Sequence, residues 1–146
     1  MSQLLKIFSN NAIWVPILAM AIAQISKCTF YSIRAKKLDL SWLFQTGGMP
    51  SSHSAAVTAL STKIGMRAGF DSPLFAAVLV FSLIVMYDAA GLRRAAGKQA
   101  RILNFVLQDL YKGHRVSDER LKEFLGHTPL EVITGAAMGL AIAVLI

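Results

Sequence analysis

Apolar residues gather into four stretches along this chain, and the polar positions between them are bunched and not alternating. The first stretch runs from about Asn11 to Ser26, the second from Ser54 to Ala68 and the third from Pro73 to Tyr87, extending to about Gly91. The fourth runs from Thr128 to Ile146. A helix that crosses a bilayer needs ~20 residues, with a range of ~17–25. The third and fourth stretches reach that length, and the first does so with its flanks. The second is short, rich in small residues, and carries Lys63 and Arg67 near its far end. That composition suits a helix inside a bundle, where small side chains let neighbours approach closely.

Helix-start signals mark the same boundaries. Ser72-Pro73 sets a cap and a first-turn proline before the third stretch. Thr128-Pro129-Leu130-Glu131 does so before the fourth, with Glu131 at the capping-box position. Pro50-Ser51-Ser52-His53 opens the second. Residues 28–49 and 92–127 are predicted not to span. Within the latter, Leu103, Val106, Leu107 and Leu110 recur at helical spacing, with Arg101, Gln108 and Lys112 elsewhere on the turn. This is the pattern of an amphipathic helix on the membrane surface or against the bundle. The expected fold is all-α: one domain over 1–146, a polytopic membrane helical bundle of about four spanning helices plus one amphipathic interfacial helix.

Composition agrees. Of 146 residues, 55% are hydrophobic and only 16% charged, against ~25% charged in an average soluble domain. Mean hydropathy is +0.53. The single cysteine, Cys28, excludes an internal disulfide and reads as a packing residue. Ala21-Ile22-Ala23 imitates a signal-peptide cleavage site, but only Lys6 precedes the apolar run, so the segment is read as retained.

The net charge of +7 admits nucleic acid, anionic lipid or a phosphorylated substrate as partner. Nucleic acid fits poorly, because long apolar runs interrupt the charges and no basic helix or aromatic reading platform is present. With four spans, residues 28–49 and 92–127 share one side of the membrane. Counting Lys27 at the rim of that side, twelve of the 15 lysines and arginines fall there, leaving Lys6, Lys63 and Arg67 for the other side. The positive-inside rule then assigns the richer side to the cytoplasm and both termini to the outside.

Chemistry concentrates on the richer side. His53 and His127 both sit at predicted helix starts. A helix N-terminus offers free amides and a positive dipole end, which favour an anion. A neutral imidazole can act as nucleophile and an imidazolium as general acid. Lys27, Arg34, Arg93 and Arg94 fall on the same side, and guanidinium groups match phosphate oxygens two at a time. These parts suit phosphoryl transfer without a metal or other cofactor; scattered carboxylates are too few for an oxygen-rich magnesium site. Other readings stay open residue by residue. Glu131 completes a capping box, a role compatible with catalysis. Taken singly, Lys27 and Arg34 read as interfacial anchors and Arg93-Arg94 as a stop-transfer pair. Asp88, near the end of a span, calls for a partner such as Arg93 or Arg94. His114 lies in a hydrophilic loop and reads as solvated.

Gly48-Met49-Pro50-Ser51-Ser52-His53 resembles the Pro-Ser-Gly-His signature of the type 2 phosphatidic acid phosphatase superfamily, which includes the vanadium haloperoxidases. Lys27 and Arg34, with six residues between them, match the spacing of its first motif, and His127-Thr-Pro-Leu-Glu131 the His-to-acid spacing of its third. The closer resemblance is to the divergent branch, small membrane proteins of bacteria and plants, which also carries a stretch like Asp88-AAGL-Arg93-Arg94. It covers roughly residues 24–140. Four positions depart from the pattern: Ala35 replaces a proline, Ser52 a glycine and Glu131 an aspartate, and Leu121 stands where the third motif has arginine. Arg93, Arg94 or Arg120 is then the candidate replacement.

The resemblance implies a hydrolase of lipid phosphates or diphosphates in a bacterial plasma membrane, and the basic asymmetry puts its site on the cytoplasmic face. His127 would form a phosphohistidine, Glu131 would orient its ring, and His53 would serve as acid and then base. Lys27, Arg34, Ser51, Ser52 and Arg93 or Arg94 would hold the phosphate, supported by Asp88. The alternative is a catalytically silent relative that binds phospholipid headgroups or a partner. Membrane lipids are partners on either reading, nucleic acid on neither, and homo-oligomerisation is left open.

Overall fold

A computed structural model describes residues 6–38, 40–43, 47–110 and 126–146, with backbone alone for 92–94 and 108–110. The chain is all-helical over these residues: α1 (Asn11–Ala35), a short 3-10 turn (Leu40–Leu43), α2 (Ser52–Ala68), α3 (Pro73–Ala90), α4 (Leu92–Leu110) and α5 (Pro129–Leu145). The starts of α2, α3 and α5 are capped as the sequence predicts. The hydroxyls of Ser51, Ser72 and Thr128 accept from the amides of Ser54, Phe75 and Glu131.

One boundary differs. The first helix does not stop near Ser26 but continues to Ala35. The polar residues that make this stretch look like a loop lie on a helix whose opposite faces meet different surroundings: Lys27 is buried in the bundle, while Phe30 and Ile33 are exposed. The helix ends where Lys36 takes the left-handed conformation (φ 53°), with its amide and that of Lys37 returning to Ile33 and Ser32.

α2 is the central helix and packs against α1, α3 and α5. The core is made of small residues: Ala19, Ala23, Ala55, Ala59 and Ala143, with Val15. Gly135 and Gly139 of α5 lie directly on the backbone of α2, where an added Cβ would strike the carbonyl oxygens of Ser51 and Ala55. Helices can approach this closely only with glycine at the contact. Ser61 and Ser82 share a 2.7 Å hydrogen bond between α2 and α3, which satisfies hydroxyls that lipid could not.

The large apolar side chains point outward. On α3 only Ser82 and Ala89 are buried, while Leu79, Val80, Phe81, Leu83, Ile84 and Tyr87 are exposed. An apolar patch of that extent does not persist in water; it is the lipid-facing surface of an all-α membrane bundle. Two helical stretches, Asn11–Ala35 and Pro73–Leu107, are long and apolar enough to cross a membrane, and α5 is a shorter apolar helix. Along α4, Ile102, Leu103, Phe105, Val106 and Leu107 are exposed on one side with Lys98 and Arg101 beside them, the amphipathic pattern read from sequence.

Helix direction follows from the contacts. α5 runs parallel to α2, since Gly135 meets Ser51 and Gly139 meets Ala55. α1 runs antiparallel to α2, since Arg67 donates to Asn10 Oδ1 at 3.2 Å. One end of the bundle therefore gathers the N-termini of α2 and α5 with the C-termini of α1 and α3.

Candidate functional site

Gly47 and Gly48 lead the chain into α2, both at positive φ (91° and 81°), which glycine adopts without a steric cost. A Cβ on Gly48 would also press on the Tyr31 ring. The turn delivers Pro50, then Ser51 as cap, then Ser52 and His53 as the first residues of α2. Ser51 is fully buried. Its amide donates to the Glu131 carbonyl at 2.9 Å, and its hydroxyl accepts from Ser54 Oγ at 3.0 Å. The helix start carrying His53 is thus fastened to the helix start carrying Glu131.

His127 stands just before the α5 cap. The last carbonyls of a helix lack intrahelical partners, and one of these, Ala89 of α3, accepts the His127 amide at 2.8 Å. The imidazole is 4% exposed. Its Nδ1 lies 3.0 Å from Glu131 Oε2, and the same oxygen accepts the Thr128 amide at 3.2 Å. Glu131 caps α5 and holds the histidine at once. A carboxylate on Nδ1 favours the tautomer that carries the proton there, which leaves the lone pair on Nε2.

His53 faces His127, with ring centroids 6.5 Å apart and planes inclined by 63°. His53 is exposed where His127 is buried. Two unlike imidazoles at two helix N-termini can act on one bound group from two sides.

Lys27 is 1% exposed and lies within Coulombic reach of Glu131. Its Nζ donates to Gln24 Oε1 at 3.1 Å. Gln24 in turn donates from Nε2 to the Leu43 carbonyl at 2.6 Å, and Tyr31 stacks on Trp42 at 4.1 Å. The sequence reading missed Gln24, Tyr31 and Trp42; only the one-turn spacing of Gln24 from Lys27 could have pointed to the first. Arg34 shares the helix face of Lys27 about 10 Å further along. It is exposed and makes no hydrogen bond or ion pair among the described residues. Asp88 is half-buried beside Ala89. The side chains of Arg93 and Arg94, and the whole of His114 and Arg120, lie outside the described residues.

A family model described as "Divergent PAP2 family" matches residues 8–142. A protein of Bacillus subtilis (strain 168), described as "Uncharacterized membrane protein YuiD", is 38% identical over 153 residues, covering 97% of either chain. No solved structure matches.

Proposed function

The chain belongs to the divergent PAP2 family, and from this we propose that it is a membrane-embedded phosphatase of lipid phosphates or diphosphates, with His127 as nucleophile. The observation that carries the reading is the pairing of a buried, carboxylate-held His127 with an exposed His53 whose ring centroid lies 6.5 Å away. In-line attack needs reacting atoms roughly 3–3.5 Å apart, and proton transfer a reach of roughly 2.6–3.2 Å. A phosphoryl group between the rings satisfies both.

In the first step the Nε2 lone pair of His127 attacks phosphorus and the bond to the leaving oxygen breaks. The imidazolium of His53 gives that oxygen its proton. In the second step His53 takes a proton from water, the hydroxide attacks phosphorus, and the P–N bond breaks to release phosphate. Lys27, with Arg34 and Arg93 or Arg94, neutralises the equatorial oxygens, and Ser52 and the α2 amides add donors. Ser51 contributes its hydroxyl, since its amide is already bonded to Glu131. Asp88 supports the basic pair. The converging groups are two histidines, a lysine and one carboxylate, a set suited to an anion and short of the oxygen ligands magnesium takes. The basic asymmetry turns this end to the cytoplasm, and the Bacillus relative suits a bacterial plasma membrane.

A second reading, a silent relative that binds phosphate headgroups, is favoured by the exposure of Arg34 and its lack of contacts among the described residues. Purified protein offered a panel of lipid phosphates with chelator present separates the two. Phosphate release that disappears in His127→Ala supports the enzyme. Saturable lipid binding with no release from any substrate supports the silent relative.

A further inference from the structure

At the end of the bundle remote from the histidines, α1 and α2 enclose a groove of about 340 Å³ lined by Ser9, Asn11, Ala12, Lys63, Met66 and Arg67. Cavities of roughly 300–1,000 Å³ hold small ligands. Lys63 and Arg67 are one turn apart on α2, so they share a face and repel each other. Among the described residues no carboxylate lines the groove and neither cation has an ion-pair partner. Arg67 donates to Asn10 Oδ1, the oxygen that caps α1, so the guanidinium is held against the positive end of the α1 dipole. Arg67 has a helical role too, since a cation in the last turn of α2 complements that helix's dipole. Lys63, further back and half-buried, has no such role. Two side-chain cations and the start of α1 thus meet in one small space against only the partial negative charge at the end of α2, an excess that an anion would relieve.

The surroundings name the anion. Phe8 stacks near Trp14, whose Nε1 donates to the Ile7 carbonyl, and Phe70 meets Phe75 edge-on at the same end. Tryptophan, with an apolar ring and a polar N–H, gathers at the level of lipid headgroups, and Trp14 stands at this end. Lys63 and Arg67 are two of the three basic residues on this side in the sequence-derived topology, and both line the one groove. We propose that this groove binds the phosphate headgroup of an anionic phospholipid in the leaflet opposite the candidate phosphatase site. The inference is independent of whether the histidines are catalytic.

The test is native mass spectrometry of the full-length protein in detergent, titrated with phosphatidylglycerol or phosphatidylcholine of matched chains. Wild type is expected to retain phosphatidylglycerol in preference. The Lys63→Gln/Arg67→Gln double variant should bind it roughly 30-fold more weakly, from about 1 kcal/mol for each charge near the surface. The charge-conserving Lys63→Arg/Arg67→Lys variant should keep binding, which separates lost recognition from lost folding. Lys37→Gln, exposed at the other end, should also keep it. Equal retention of the two lipids, unchanged binding by the double glutamine variant, or displacement by millimolar inorganic phosphate would each overturn the proposal.

Discussion

Glu131 holds His127 Nδ1 at 3.0 Å with the same carboxylate oxygen that caps α5 through the Thr128 amide. The two duties can be separated. Thr128→Ala removes the cap hydroxyl and leaves the carboxylate on the ring, so it should lower stability by about 1 kcal/mol with kcat nearly unchanged. Glu131→Gln should instead lower kcat strongly with a small thermal effect. Thermal midpoints and steady-state kinetics on the two variants check this. Equal loss of kcat in both would tie catalysis to the cap and not to the ring.

His127→Ala should abolish turnover and the trapping of an acid-labile phosphoprotein. His53→Ala should slow turnover by ~10²–10⁴-fold, the usual worth of general acid–base help. The loss should shrink for aryl phosphates, whose leaving oxygens need less protonation. Rapid-quench experiments with labelled substrate report both. Undiminished labelling in His127→Ala would assign the nucleophile elsewhere.

Gln24 links buried Lys27 to the Leu43 carbonyl. Gln24→Leu removes both bonds at nearly constant volume. A hydrogen bond to a charged group is worth ~1.5–3 kcal/mol, so kcat/KM should fall by roughly ten- to a hundredfold while the protein stays folded. A variant with wild-type kinetics would show that Lys27 needs no such support.

Gly135 and Gly139 set the distance between α2 and α5. Gly139→Ala should destabilise by ~1–3 kcal/mol, as overpacking does. Gly135→Ala should cost a similar amount and also lower kcat, because the backbone it displaces is Ser51, next to the residues that carry His53. Thermal unfolding in detergent with parallel kinetics distinguishes the two positions.

The bundle is expected to place Ser9 and Asp71 outside and Lys37 and Ala95 inside. Single cysteines at these positions, in a Cys28→Ala background, should react with an impermeant maleimide on intact cells only at the first two. Labelling of Lys37→Cys from outside would reverse the topology.

By itself the sequence determined the membrane class, the starts of α2, α3 and α5, and the placing of His53 and His127 at two of them. The reasons are local: apolar length sets what can span, Ser-Pro and Thr-Pro-x-Glu set the caps, and His53 and His127 follow from their place at those caps. Tertiary structure decided what depends on partners distant in the chain. It continued α1 to Ala35, because burial against the bundle absorbs Lys27, a residue whose polarity alone argues for a loop. It separated Lys27 from Arg34 in depth, though their spacing puts them on one helical face. It made Gly135 a contact with Ser51, and so joined two motifs whose helix starts lie far apart in sequence. Hydrophobic periodicity records which face a helix turns to lipid; which backbone it touches on the other face is fixed only when small residues meet.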